Sequence, residues 1–338
     1  MLVLIARRLL IVLPMLLVMS FLVFTLVELF PGDACLVKHE KSGNQEVIDA
    51  CRVEHHLEGP FFERYFAFLG RASDGDFGDA MFKNESVAEL IGSKLPATIE
   101  LSLFALLIAF VLGTWIGTRS ALKPGSWFDA LGQIVSMAGV SIPVFWLGMM
   151  VMSLFAGEGD WFEVGAWGPE KIGPGIDYST AFLMTESLVR LEFGAFLTAL
   201  KYIVLPAFTL ATIPLATITR MTRSSVLEEA SKDYVTTARA KGLSERRVIR
   251  HHVRRNALIP VVTITGLQLG VLLSGAVLTE RVFSWPGLGT EMVEAAGMRD
   301  YPVIMGCMLF FVIVFVVVNL IVDVLYLWID PRMRTAAD

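Results

Sequence analysis

The residues of this chain that could do chemistry fall into three sets. The first is Asp323 with Asn319, one helical turn apart inside an apolar run near the C-terminus. An ionisable side chain at membrane depth marks an ion or substrate pathway by default. Asp323 lies close to the end of its run, which favours the other reading, an interfacial carboxylate held by Arg332 or by backbone donors. The second set is Cys35 and Cys51 with His39, His55 and His56 in a polar stretch. Thiolates and imidazoles ligate zinc, but their spacing here matches no zinc pattern. The histidines therefore read as solvated and no metal site is expected. A Cys35–Cys51 bridge would close a short loop and stabilise it by about 3 kcal/mol if chain entropy dominates; two free thiols are the alternative. Cys307, within the last apolar run, reads as a small core residue. The third set is the basic segment from Arg220 to Pro260, whose chemistry is docking rather than bond-making. Against catalysis, the chain contains no G-x-x-x-x-G-K-S/T, H-E-x-x-H, C-x-x-C or G-x-S-x-G. It has no P-loop for nucleotide, and no catalytic residue is expected.

The elements that must position these sets are apolar blocks. The chain has 338 residues, 55% of them hydrophobic and 18% charged, with a mean hydropathy of +0.63. Apolar residues come in long runs, several near or above the ~20 needed to span a hydrocarbon core. The expected class is an all-α polytopic membrane protein with six transmembrane helices, at about 9–30, 96–119, 128–156, 197–221, 259–280 and 303–328. A transmembrane barrel would alternate rather than run continuously apolar. The first run is too long for a secretory signal and lacks a clear cleavage site, so it reads as a retained span. Lys and Arg are in excess in the segments on the N-terminal side, which places both termini in the cytoplasm. The chain then divides into an N-terminal helix (1–30), an outer segment (31–95) and a core of five helices (96–338).

Several positions carry local expectations. Glu28 falls near the outer end of the first run, where its carboxylate can reach the interface. A short helix is expected around Phe61–Leu69. Leu95-Pro96 should place proline near the first turn of the second span. Gly113 and Gly117 form a small-xxx-small pair suited to close helix contact. Ser141-Ile142-Pro143 predicts a kink in the third span. Residues 157–195, rich in Gly, Trp and acids, read as irregular. The fourth span carries Pro206 and Pro214, and the fifth carries Gly266, Gly270 and Gly275. Between the fifth and sixth lies ERVFSWPGLGTEMVEAAGMRDYP, able to dip into the outer leaflet or cover a cavity mouth.

Within Arg220–Pro260, Leu227, Ala230, Tyr234 and Ala238 recur at helical spacing and give a charged rod one small, weakly apolar face. Lys241-Gly242 is the cation-then-glycine ending of a helix, and Ser244 can cap a second helix running toward Asn256. A solvating basic loop has no need of a small-residue face, so a partner is expected to dock here.

At these residues the chain resembles the permeases of binding-protein-dependent ABC importers, in the dipeptide/oligopeptide/nickel branch. The resemblance is carried by Asp233-Tyr234-Val235-x-x-Ala238-Arg239-Ala240-Lys241-Gly242-Leu243 and by Arg255-Asn256-Ala257-Leu258-Ile259-Pro260. Outside the loop it extends to Pro31-Gly32-Asp33, Gly75-Asp76-Phe77-Gly78, Leu95-Pro96-Ala97-Thr98, Arg220-Met221-Thr222-Arg223 and Phe283-Ser284-Trp285-Pro286-Gly287-Leu288-Gly289, and ends with Asp330-Pro331-Arg332. Thr236-Thr237-Ala238 stands where the general loop motif has Glu-Ala-Ala, and Gly242 to Pro260 is longer than its short form; both look like features of the peptide branch. The resemblance implies the type I importer permease fold and half of a translocation pathway for di- or oligopeptides. Nickel, haem or another small solute is the alternative cargo, and a secondary transporter the alternative class. The implied partners are a second homologous permease, two cytoplasmic ATPases that bind ATP and Mg, and a substrate-binding protein, in membrane lipid and without nucleic acid. It implies ATPase coupling through Asp233, Tyr234, Ala238, Arg239, Ala240, Lys241 and Gly242, moved as a rigid body. It makes Phe283, Trp285, Pro286, Gly287 and Gly289 gate or pathway candidates.

Overall fold

Two long apolar helices form the centre, and they lie close because glycine removes side chains between them. In the computed structural model, which describes residues 2–29, 32, 34–39, 44–54, 58–83, 85–155, 162, 167–176, 178 and 180–329, the helices in order begin with α1 (Leu2–Glu28), α2 (Ala34–His39), α3 (Gln45–Glu54) and α4 (Phe61–Ser73). Then come α5 (Val87–Leu122), α6 (Trp127–Ser141), α7 (Val144–Phe155), α8 (Pro169–Ile172) and α9 (Leu183–Val189). After these follow α10 (Phe193–Ala230), α11 (Asp233–Ala240) and α12 (Glu245–Arg247), which continues through a π-helical stretch, Val248–Val253, into α13 (Arg254–Gly275). The last are α14 (Val277–Val282), α15 (Leu288–Met298) and α16 (Tyr301–Ile329). Among the described residues there is no strand, only an isolated bridge between Asp79 and Ser86.

The α5–α10 pair is the core. Leu101, Ala105 and Ala109 of α5 cluster with Ala199, Ile203, Ala207, Leu210 and Ile218 of α10. A Cβ at Gly113 would lie 2.8 Å from Ile218 Cγ2, and one at Gly117 would lie 2.5 Å from the Thr219 carbonyl oxygen. The small-xxx-small pair thus sits where the two backbones approach. Gly117→Leu is expected to destabilise the fold by about 3 kcal/mol, the upper end for overpacking. Gly70→Leu should be near neutral, because nothing lies within 4 Å of that position. Thermal unfolding of the detergent-solubilised chain measures both, and equal midpoints would contradict the close approach.

Four described helices are long and apolar enough to cross a membrane, and α6 with α7 makes a fifth if the bent pair counts as one span. With the 27-residue α1, these are the six segments expected. Large apolar side chains stay exposed along α1, α6 and α7, among them Leu13, Val18, Ile134, Met137 and Leu154. Such a surface suits hydrocarbon, not water.

Several boundaries differ from expectation. The helix α5 begins at Val87, nine residues early by sequence number, because Ser86 and Glu89 form a capping box: Glu89 N donates to Ser86 Oγ at 3.2 Å and Ser86 N to Glu89 Oε2 at 3.1 Å. Pro96 is therefore inside the helix rather than in its first turn. The kink expected at Ser141-Ile142-Pro143 is present and goes further, a full break between two helices bent by 107°. Ile142, held extended (ψ 126°) before Pro143, ends the first of them. The region 157–195 is not wholly irregular, since it contains α8 and α9. Asn256 and Pro260 lie within one helix running on from Glu245, where two separate helices were expected.

Among the described residues of the outer segment, a disulfide between Cys35 and Cys51 ties α2 to α3 (S–S 2.03 Å) over Met81 and Phe82. Met81 N donates to Asp300 Oδ2 at 2.9 Å and Lys83 pairs with Glu291, so the segment is clipped to the start of α15 and to the turn that follows it. The Glu28 carboxylate pairs with Arg64 at 2.7 Å, and α4 packs Tyr65 and Phe68 on Phe24 of α1. Cys307 is fully buried. His55, His56, the side chain of Asp323 and Asp330-Pro331-Arg332 lie outside the described residues. Among those described, no three His, Cys, Asp or Glu side chains group as a metal site.

Candidate functional site

The two stretches that sequence singled out lie at opposite ends of the helices, and a buried carboxylate organises each. At the basic end α10 runs on to Ala230, where the N–H groups of Ser231 and Lys232 close on Glu228 and Glu229 carbonyls at 3.2 and 3.3 Å. Lys232 then extends (ψ 149°) and α11 begins at Asp233. Leu227 and Ala230 therefore belong to a different helix from Tyr234 and Ala238, and the single small-residue face expected from periodicity is divided between two helices. Val235 and Ala238 turn inward and pack with Ala121, Val226, Val248, Val253 and Ala257. Asp233, Tyr234, Arg239, Ala240, Lys241 and Gly242 are exposed.

The end of α11 is a Schellman turn. Gly242, at φ +78°, donates to the Arg239 carbonyl at 2.9 Å, and Leu243 N donates to Ala238 O at 3.4 Å. Across this turn the Arg239 guanidinium donates twice to Glu245, Nη2 to Oε1 at 2.8 Å and Nε to Oε2 at 3.1 Å. Arg239 thus braces the turn. The Tyr234 hydroxyl donates to Glu229 Oε2 at 2.5 Å and accepts from Asn256 Nδ2 at 3.1 Å, tying α11 to α10 and α13. Burial and the Glu229 carboxylate hold the phenol above its ordinary pKa, so it remains a donor at neutral pH.

Deeper at this end, Asp129 of α6 is buried and accepts both arms of Arg223, at 2.7 Å from Nε and 2.9 Å from Nη2. Gly125 N and Gln133 Nε2 donate to the same carboxylate at 2.9 and 3.2 Å. This bidentate pair locks the extension of α10 onto the α5–α6 turn. Asp129→Asn leaves the guanidinium without its counter-charge and is expected to cost about 3 kcal/mol. A double-mutant cycle with Arg223→Met, read by thermal unfolding, should show strong coupling; additive losses would refute the lock.

At the other end α13, α14 and α15 fold the FSWPGLG stretch against α5. Glu280 is fully buried. Its carboxylate accepts from Thr98 Oγ1 at 2.7 Å, from Gly289 N at 2.7 Å and from Thr290 N at 3.2 Å. The Glu280 side chain therefore caps the first turn of α15, where helix N–H groups lack partners. Thr98 Oγ1 in turn accepts from Leu288 N at 2.9 Å. Trp285 donates through Nε1 to the Ala97 carbonyl at 2.9 Å and stacks on Trp167 with ring centroids 4.2 Å apart. Phe283 is buried, Pro286 is half-buried, and Gly287 starts α15 as its N-cap. Only glycine fits at 289, since a Cβ there would lie 2.5 Å from Val277 Cα and 2.8 Å from Glu280 Oε2. The five gate candidates are thus brought into one braced turn.

Sequence reasoning missed the carboxylates that build both sites: Asp129, Glu280, and Glu100, which accepts from Thr185 N at 2.8 Å and so anchors α9. The available signal was the one applied to Asp323, an acid inside or at the edge of an apolar run.

These long apolar helices suit a membrane protein, and the similarities say which family it belongs to. Residues 109–335 match the family described as binding-protein-dependent transport system inner membrane component, and residues 1–102 match the N-terminal region of that system's membrane component. The chain is 42% identical over 334 residues, 98% of both chains, to the di/tripeptide transport system permease protein of Pseudomonas aeruginosa (strain UCBPP-PA14). It is 39% identical, again over 98% of both, to the dipeptide transport system permease protein of Escherichia coli (strain K12). It is 36% identical, over 97% of both, to the glutathione transport system permease protein of Salmonella paratyphi A (strain ATCC 9150 / SARB42). The chain belongs to the binding-protein-dependent transport system inner membrane component family and is a multi-pass permease subunit of an ABC importer.

Proposed function

We propose that this permease carries di- or oligopeptides, forming half of a pathway completed by a second homologous permease. A substrate-binding protein delivers the peptide, and two ATPase subunits on the cytoplasmic side bind ATP and Mg and supply the energy. The basic end and both chain termini face the cytoplasm, in keeping with the Lys/Arg excess there. In this reading the exposed face of α11, from Asp233 to Gly242, enters a groove on an ATPase, and closure of the ATPase pair moves it as a rigid body. The braced turn from Phe283 to Gly289 forms part of the gate at the other end.

The observation that carries the substrate is the naming of the three relatives above: each matches over nearly its whole length and each is named for a peptide. In proteoliposomes holding the assembled transporter, a labelled dipeptide should accumulate only with ATP and binding protein present. Uptake that proceeds without ATP, or that nickel or haem competes away while unlabelled dipeptide does not, would overturn the proposal.

A further inference from the structure

A cavity of about 780 Å³ opens at the basic end between the α5–α6 turn and the helix that follows α11. Arg119 and Lys123 line it from one side, and Arg246, Arg250 and Arg254 from the other. The three arginines recur every fourth residue through the π-helical stretch. Among the described residues no Asp or Glu lines it; the neighbouring Asp129 is buried and committed to Arg223. Five exposed cations thus gather around one hollow with no acid among the described residues that line it, an arrangement that suits an anion.

The cavity wall names the kind of anion. Trp115 and Trp127 lie on it with most of their surface exposed, at the boundary where indoles partition between hydrocarbon and water. Arg119 lies over the Trp115 ring, 5.7 Å from its centroid. Trp115 and Phe128 also line a second hollow, a groove of about 230 Å³. Its floor holds Gly132, Gly139 and Ala216, and its walls are almost entirely apolar. From Phe128 to Gly139 the groove follows α6 for about 16 Å, roughly one leaflet of a ~30 Å hydrocarbon core. A cationic hollow thus continues, past the shared Trp115 and Phe128, into an apolar channel of acyl-chain length.

We propose that the cavity and groove together bind one anionic phospholipid, its phosphodiester among the five cations and one acyl chain along α6. Basic hollows between transmembrane helices are suited to anionic headgroups; here the groove adds selection for a lipid over a free phosphate. The bound lipid bridges the α5–α6 turn to the helix that follows α11 and so joins two elements that otherwise meet through protein contacts alone.

Native mass spectrometry of the delipidated full chain, titrated with phosphatidylglycerol or phosphatidylcholine of matched chains, tests this. One phosphatidylglycerol should be retained under activation that strips phosphatidylcholine. Changing Arg246, Arg250 and Arg254 together to Gln should weaken retention by on the order of a hundredfold, while the matching triple Lys variant keeps it. That rescue separates lost charge from lost fold. Arg255→Gln, outside the cavity wall, should bind as wild type. Inorganic phosphate at equal concentration should not displace the lipid. Equal retention of both lipids, an unaffected triple Gln variant, or displacement by phosphate would overturn the proposal. So would a photo-crosslinker at Lys123 that, in native membranes, captures only polypeptide.

Discussion

Gly242→Pro should abolish uptake and lower ligand-stimulated ATP hydrolysis while the chain still inserts in the membrane. At φ +78° the position lies far from the ~−65° that proline imposes, and its N–H is the donor to the Arg239 carbonyl at 2.9 Å. Proline removes both features, so the Schellman turn opens and the Arg239–Glu245 brace loses its geometry. A local cost of ~3 kcal/mol or more falls on the eight residues of α11, which cannot hold a helix by propensity alone. Ala238→Glu should act from the other side of the same helix. It forces a charge into the cluster of Val235, Val248 and Val253, so α11 is pushed off its seat. Both effects are read in the reconstituted transporter by peptide-stimulated hydrolysis. Normal stimulation in either variant would remove α11 from the coupling role.

Glu280→Ala should be the most destabilising single change at the opposite end. It strands the Thr98 hydroxyl and the Gly289 and Thr290 N–H groups, all buried or half-buried, and leaves a void beside Gly287. At about 1–3 kcal/mol for each orphaned group, a loss of roughly 4 kcal/mol is expected once relaxation is allowed for. Glu280→Gln is the sharper comparison. Both backbone N–H groups fall on Oε2, where an amide oxygen can accept them, and the Thr98 hydroxyl that faces Oε1 can turn to accept from the amide NH₂. The Gln variant should therefore keep most of the stability that Glu280→Ala loses. An unfolding midpoint for Glu280→Gln as low as that of Glu280→Ala would show that the charge, and not these hydrogen bonds, holds the α15 cap.

The six apolar segments were legible because a bilayer demands long continuous runs, a signal that survives without any knowledge of contacts. Their ends were not. Val87–Leu95 is polar enough to look like a loop, and it is helical because Ser86 and Glu89 cap it and because Leu90 and Ile91 pack on Leu288 and Val303. The break at Lys232 was hidden because Leu227, Ala230, Tyr234 and Ala238 keep helical spacing on both sides of it. Gly242 was legible since few residues but glycine tolerate that conformation. The buried carboxylates could be flagged as acids in or beside apolar runs, but their partners could not. Thr98 and Glu280 are separated by 182 positions, and neither has a local pattern that names the other.

The helix that leaves the basic end has a mechanical consequence. From Glu245 it continues for 29 residues to Leu273, about 43 Å at the α-helical rise. A stiff arm of that length magnifies: a tilt of 10° about one end carries the other about 7 Å sideways, wider than a helical turn is tall. Two places along the arm can absorb such a displacement. At Val248–Val253 the wider π winding lets the register slip. At Pro260 a missing N–H leaves the carbonyl of Asn256 without its ladder partner. How far the arm bends at these two points, against how far it swings whole, sets the gearing between a displacement at α11 and one at the Glu280 staple.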